Sequence, residues 1–200
     1  MAHETEARRG VTANAGNLKA RVERAALELF AREGVDAVSI KSVAGAAGIS
    51  DGAMYRYYKS KDALAVALFE TIHVRLYNLL ECALAEAYGF EDAVRRVVRV
   101  YCEAADDDPD LFAYHLTHMH RFGVEARPGC PDPVGLIAGR LKGAMEAGDL
   151  PQGDPEIKAA AALGVVLQPT AHRMVGRFDV QMTTMADRLA DAALLVLRTV

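Results

Sequence analysis

The sequence predicts an all-α chain of about nine helices. Three observations predict it. Ala supplies 36 of the 200 residues, with Leu, Glu and Arg also common, and these are good helix formers. Apolar residues recur at three- and four-residue steps through most of the chain. Alternating β-branched runs joined by hairpin signals are nearly absent, and Gly and Pro punctuate the helical stretches instead.

Residues 1–16 are polar without periodicity and are expected to be a flexible arm. The first helix is expected over about 17–33, where Leu18, Val22, Ala25, Ala26, Leu29 and Phe30 form one apolar stripe. Gly34 supplies a left-handed stop, and Val35 can fold back onto the last turn. Ser39 is placed to cap a second helix over 40–47, Ser50 a third over 51–58, and Ser60 a long fourth over 61–88. A fifth helix is expected over 90–105.

Asp precedes Pro three times, at 108–109, 132–133 and 154–155. Asp caps well, and Pro is tolerated at the first helical position because its missing N–H has no partner there. Helices are therefore expected to start at 109, 133 and 155. A last helix is expected over 180–198. The Gly- and Pro-rich stretch 123–131 reads as the longest loop. Pro169 falls inside the helix from 155, where it predicts a kink or a division into two helices.

Composition bounds function. Apolar residues make 52% of the chain and charged residues 25%, the balance of a globular protein with a core of its own. The longest uncharged apolar run, 159–167, is far short of the roughly 18 residues a bilayer span needs. No charged-then-apolar leader opens the sequence, so a cytoplasmic location and no membrane partner are expected. The three cysteines, Cys82, Cys102 and Cys130, lack CxxC or zinc-finger spacing, which removes a disulfide framework as the organising principle. No P-loop, dinucleotide fingerprint, GxSxG or HExxH occurs, so no enzymatic activity and no cofactor are expected.

Charge is unevenly distributed. Residues 1–61 hold ten Lys/Arg against seven Asp/Glu, a net of +3, and the remainder holds thirteen against twenty, a net of −7. A basic front end on an acidic chain can meet a polyanion if the charge lies on one face.

The segment 39–64, SIKSVAGAAGISDGAMYRYYKSKDAL, is where that condition can be met. Two short helices flank a tight turn at Gly48-Ile49. Val43, Ala47, Ile49 and Met54 are spaced to pack them together, with small residues at Ala44, Ala46 and Ala47 for close crossing. This is helix-turn-helix grammar, with the second helix in the major groove. Ser50, Asp51, Gly52 and Ala53 keep the start of that helix small or polar. Tyr55, Arg56, Tyr57, Lys59 and Lys61 follow, and Arg reads guanine edges while Tyr and Lys hold phosphates. The same residues would also serve as ordinary packing tyrosines and solvated charges.

The longer order ALELFAREGVDAVSIKSVAGAAGISDGAMYRYYKSKDAL narrows the choice. Ala26-Leu27 through Phe30, Gly34, Ser39, Val43-Ala44, Ala47-Gly48-Ile49-Ser50, Tyr55 to Tyr58, Lys59-Ser60-Lys61 and Leu64 together resemble the N-terminal domain of the TetR (tetracycline-repressor-like) family of bacterial transcription regulators. The resemblance covers about residues 20–70. It implies a three-helix helix-turn-helix DNA-binding domain over 17–62 and a helical ligand-binding and dimerisation domain over 63–200. It also implies a homodimer on double-stranded, pseudo-palindromic operator DNA, most often as a repressor. Lys41 matches a contact from the first motif helix. Ser50, Gly52, Ala53, Tyr55 and Arg56 match recognition positions, and Tyr57 and Lys61 match phosphate contacts. Met54 and Tyr58 match positions the family buries; Tyr58 is often Phe there. Asp51 fits less well, since a carboxylate repels phosphate.

Beyond residue 64 the sequence is less specific. The 155 helix carries Ala159 to Ala162, Gly164, Val165, Val166 and Leu167, and the last helix carries Met182, Met185, Leu189, Ala193 and Val196. These faces suit a four-helix dimer interface, or closure of the subunit's own core. In DLFAYHLTHMHRF, Phe112, His115, Met119 and Phe122 share one face, and Gln168 and His172 flank Pro169. These six are the candidate lining of a small-molecule effector site. A second reading is a metal-responsive regulator using His115 and His118, joined by His120 or His172. A third is a helical enzyme or binding protein that retains a vestigial helix-turn-helix.

Overall fold

A computed structural model describes residues 2–122 and 131–200, with side chains described from residue 18. The described residues form nine α-helices, one short 3-10 turn and no strand. The chain divides into two units, residues 1–69 and 70–200. The expected 123–131 loop and Cys130 lie almost wholly or wholly outside the described residues.

The first unit begins with α1, Ala2–Glu33. The helix starts fifteen residues earlier than the apolar stripe predicts. The polar segment has no Pro, and its Ala, Glu and Arg carry helical backbone through Gly10 and Gly16, which weaken a helix without ending it. Val22, Ala26 and Phe30 are buried as the stripe requires. Gly34 ends the helix at φ +80°, donating its N–H to the Phe30 carbonyl at 2.9 Å, and Val35 folds back into the core.

Helices α2 (Ile40–Ala46) and α3 (Asp51–Tyr57) follow, capped by Ser39 and Ser50. The Ser39 hydroxyl accepts the Ser42 N–H at 3.0 Å and the Ser50 hydroxyl accepts the Ala53 N–H at 3.2 Å. Helix α1 packs on α2, and α2 on α3, around buried Val43, Ala44, Ala47 and Met54.

Helix α4, Lys61–Ala85, gives residues 61–69 to the first unit and 70–85 to the second. By length and composition it could cross a bilayer. Its hydropathy has another cause: Leu64, Leu68 and Phe69 are core residues of the first unit, and Leu76, Leu80 and Leu84 of the second. It stops three residues short of the expected end, because α5 claims the intervening turn. The Tyr88 N–H donates to the Asp92 carboxylate at 2.9 Å, one turn into α5 (Gly89–Asp107).

The remaining helices are α6 (Pro109–Phe122), α7 (Pro133–Ala147), α8 (Pro155–Met174) and α9 (Ala186–Thr199). All three Asp-Pro starts are as expected. Asp108 accepts from the Leu111 N–H, Asp132 from Val134, and Asp154 from Glu156 and Ile157. Helix α8 runs through Pro169 without dividing. The last helix begins later than expected, at Ala186, after a 3-10 turn over Met182–Met185. Asp106 holds that turn by accepting the Met182 and Thr183 N–H groups, and those donors are lost to a continuous helix.

The core of the second unit lies where α9 packs on α5 and α8, and α7 on α8. Ala159, Val166, Met182, Leu189 and Ala193, whose pattern suits either a dimer face or closure of the subunit's own core, are buried in it. Helical spacing marks a buried face but not what buries it, and here the subunit's own core takes these five.

Candidate nucleic-acid interface and effector cavity

The turn between α2 and α3 is built by local chemistry. Gly48 sits at φ +66°, a conformation that a side chain disfavours. The Ile49 N–H donates to the Ala44 carbonyl at 3.0 Å, closing the turn. The Arg21 guanidinium reaches from α1 to the Ala47 carbonyl at 2.6 Å, placing positive charge on the carbonyl end of α2. At the far end of α3, the Tyr58 hydroxyl donates to Glu23 at 2.9 Å. Burial first, and then the Glu23 carboxylate, push the Tyr58 phenol well above its usual range, so it stays a neutral donor. Met54 and Tyr58 thus fasten α3 from within, as their family positions imply.

The other face of α3 is open. Lys41, Ser50, Asp51, Gly52, Tyr55 and Arg56 are exposed, and Ala53, Tyr57 and Lys61 are half-buried. A Cβ added at Gly52 would meet nothing, so the start of α3 is a smooth surface. All eight residues proposed from the sequence to contact DNA therefore belong to one compact unit and none is in its core. Lys61 already has a partner: its ammonium donates to the Asp36 carbonyl at 2.9 Å, which fixes its stem beside the motif.

In the second unit α6 meets α4 and α8 around a small cavity lined by His73, Leu76, Tyr101, Phe112, His115, Met119, Leu163 and Leu167 among others. Of the six predicted ligand residues it collects Phe112, His115 and Met119. It does not collect Phe122, Gln168 or His172. Phe122 lies two turns beyond His115 and stacks on His118, with ring centroids 5.5 Å apart. Gln168 and His172 pair with each other at 3.1 Å along α8. His73, on the apolar run of α4, is the member that sequence reasoning missed. A lone imidazole among Leu, Ile and Val was the available signal.

His115 Nε2 lies 3.0 Å from His73 Nδ1, so one ring donates and the other accepts. Burial, and secondarily His73, bring the His115 pKa down to about 4. His118 turns elsewhere, with Nδ1 2.9 Å from the Tyr114 carbonyl and its ring stacked on Tyr114. The two histidines of the metal reading therefore do not converge. Among the described residues no group of three or more His, Cys, Asp or Glu is placed to hold a metal ion.

A buried-anchor, open-faced second helix behind a glycine turn defines a helix-turn-helix DNA-binding protein. The chain belongs to the TetR family of bacterial transcriptional regulators: the family model "Bacterial regulatory proteins, tetR family" matches residues 24–68. Over 161 residues, the chain is 36% identical to a Mycobacterium tuberculosis protein named as the mycofactocin biosynthesis transcriptional regulator MftR, covering 74% of this chain and 75% of that one. It is 31% identical over 97 residues to the nucleoid occlusion factor SlmA of Glaesserella parasuis, and that match spans about half of each chain, 48%. The fold is shared with the fatty acid degradation regulator FadR of Bacillus halodurans, with a TM-score of 0.77 at 20% identity over 90% of this chain and 94% of that chain. The protein is a transcriptional regulator of this family.

Proposed function

We propose that the protein is a cytoplasmic, small-molecule-responsive repressor that binds a pseudo-palindromic operator as a homodimer and has no enzymatic activity. The observation that carries this is the division of α3 into a buried edge, Met54 and Tyr58, and an exposed edge, Ser50, Gly52, Tyr55 and Arg56. On this reading Gly52 and Ala53 admit the helix to the groove floor, and Arg56 reads base edges. Lys41, Tyr57 and Lys61 hold phosphate, and Tyr55 contributes its hydroxyl and ring.

The dimer forms on what the core leaves over. Ile157 (58% exposed), Ala160 and Gly164 lie along the open side of α8, and Leu195 (63% exposed) lies on α9. Small residues on α8 would let two such helices approach closely. A ligand in the His73–His115 cavity would favour one setting of the second unit. Helix α4, which contributes to both units, would carry the change. A coupling of about 1–3 kcal/mol per site is enough to change operator occupancy.

The test is salt-dependent binding to the protein's own upstream promoter fragment. Tyr55→Ala and Arg56→Ala weaken binding, and Lys61→Ala flattens the plot of log affinity against log salt by roughly one per subunit. Ile157→Arg with Leu195→Arg yields a monomer in sedimentation. Wild-type protein that ignores the fragment at low salt defeats the proposal.

A further inference from the structure

A second cavity in the helical unit has a different chemistry. It lies between α4, α5 and α6 and has a volume of about 140 Å³. A cavity of roughly 150 Å³ holds one benzene ring. The floor is apolar, with Ile72, Leu76 and Phe112 buried and Ala104 half-buried along one wall. Leu76, Phe112 and His115 also line the His73–His115 cavity, so the two spaces adjoin there.

The rim is charged and open to solvent. It carries Arg75 from α4, Glu103 and Asp107 from α5, and Asp108 from the turn that follows, while α6 contributes only His115. Burial, with a smaller contribution from His73, brings the His115 pKa down to about 4, so it adds no charge at neutral pH. Three carboxylates therefore stand against one guanidinium.

The fold uses one of these carboxylates and not the other two. Asp108 caps α6 by accepting the Leu111 N–H at 3.2 Å. Their neighbour Asp106, outside the rim, is employed by Arg173 and the 3-10 turn. Glu103 and Asp107 make no hydrogen bond or ion pair with any described residue, and neither does Arg75. The two stand one turn apart on one face of α5, where like charges repel. They also sit at the carbonyl end of that helix, whose last turn holds no basic residue and whose dipole disfavours negative charge. Both carboxylates thus weaken their own helix beside an apolar hole. A metal ion does not account for them, because among the described residues no group of three or more His, Cys, Asp or Glu is placed to hold one.

We infer that this cavity binds a small organic monocation: an ammonium group on an apolar body about the size of one six-membered ring. The body fills the floor over Leu76 and Phe112, and the ammonium stays at the rim beside Glu103 and Asp107. An anion would be repelled by the excess of carboxylates, and a neutral molecule would leave them uncompensated. A cation relieves their repulsion while its body leaves water. The binding claim stands by itself; only its regulatory consequence rests on the effector reading above.

The experiment titrates full-length protein with 2-phenylethylamine, with 2-phenylethanol and phenylacetate as the neutral and anionic ligands of similar size, and with methylammonium as the charge without the body. The amine is expected to bind about tenfold tighter than the alcohol, as two rim pairs of ordinary surface strength would give. Phenylacetate and methylammonium are expected to bind more weakly than the amine by at least as much. Added salt should weaken the amine and leave the alcohol unchanged. Glu103→Gln with Asp107→Asn should bring the amine down to the affinity of the alcohol while the free protein melts no lower than wild type, since a repulsion has been removed. Arg75→Gln should tighten the amine about threefold, a gain that a misfolded protein cannot mimic. Ala104→Leu, checked for unchanged melting, narrows the cavity and should lower amine binding more than tenfold.

Alcohol or acid binding as tightly as the amine overturns the proposal. So does a Glu103→Gln, Asp107→Asn protein that keeps the preference for the amine, an Arg75→Gln protein that binds it more weakly, or a folded Ala104→Leu protein that binds it normally. Amine binding with no change in operator affinity overturns the effector reading for this cavity and leaves the site standing. Operator release by another compound, from a protein that does not bind the amine, overturns the site and leaves the effector reading standing.

Discussion

His115 on α6 and His73 on α4 meet ring to ring, with centroids 5.3 Å apart and one nitrogen–nitrogen hydrogen bond of 3.0 Å. The pair holds as donor and acceptor, an arrangement a doubly protonated pair cannot make. Burial and then His73 hold His115 at about 4, against an ordinary 6.5. The unfolded chain therefore takes up a proton that the folded chain refuses between those values. Stability from the neutral pair is fully present above about pH 6.5 and is lost as pH falls through about 4. The full effect is on the order of 3 kcal/mol. Melting temperature should fall on acidification through this window, and His115→Leu should flatten the slope. An unchanged slope in that variant would show that the pair is not the titrating element.

Arg21 and Gly48 form a second coupled pair. The guanidinium donates to the Ala47 carbonyl, and a Cβ at Gly48 would lie 2.9 Å from its Nη2. Arg21→Ala should cost roughly 1 kcal/mol by leaving the end of α2 without its donor. Gly48→Ala should cost about 1–2 kcal/mol, since φ +66° strains any side chain. The double variant should cost less than the sum, because removing Arg21 removes the close contact. Chemical denaturation of the four proteins measures the coupling, and strict additivity would show that the two residues act independently.

Asp106 gathers the 3-10 turn and α8 onto the end of α5. Its carboxylate accepts the Met182 N–H at 3.0 Å, the Thr183 N–H at 2.8 Å and the Thr183 hydroxyl at 2.8 Å, and it pairs with Arg173. Burial pushes its pKa up, but those donors and the Arg173 charge outweigh burial and hold it below the usual carboxylate value. A depressed carboxylate contributes stability above its unfolded pKa and loses it as acid protonates the folded form. Asp106→Ala should cost about 2–3 kcal/mol, because Arg173 and two backbone donors lose their acceptor together. Limited proteolysis should then cut first between Arg177 and Met185. Uniform resistance there would mean that the turn is held by packing instead.

What the sequence disclosed follows from range. The Ser39 and Ser50 caps, the Gly34 stop, the Gly48 turn and the three Asp-Pro starts are decided within four residues, and each is found where its local chemistry placed it. The buried edge of α3 was readable for the same reason, with Met54 and Tyr58 four residues apart on one face. The second unit depends on pairs that no local pattern announces. His73 and His115 are 42 residues apart. Asp106 decides where the last helix starts from 76 residues away. The stripe Met182, Leu189, Ala193 correctly marked a buried face, but its burial partner is the subunit's own core.

Lys158 tests how the closing helix is secured. Its side chain is wholly buried, and its ammonium donates to the Leu197 carbonyl at 2.9 Å and to the Val200 main-chain oxygen. It thereby places a cation on the carbonyl end of α9, where the helix dipole favours it. Lys158→Met keeps the stem and removes the charge. Two effects then oppose each other. The α9 carbonyls lose their donor, which destabilises, and a desolvated ammonium is removed, which stabilises. Val200 is 46% exposed, so water can take over part of the lost bonding. The first effect should still prevail, by roughly 1–2 kcal/mol, because the Leu197 bond is buried and water cannot replace it. Gly153→Ala should give a weaker version of the same loss, since its Cβ would press within 2.7 Å of Lys158 Cε. Amide exchange should quicken across the last turn of α9 in both variants. A Lys158→Met protein that melts higher than wild type would show that the ammonium costs more in lost hydration than it returns in capping.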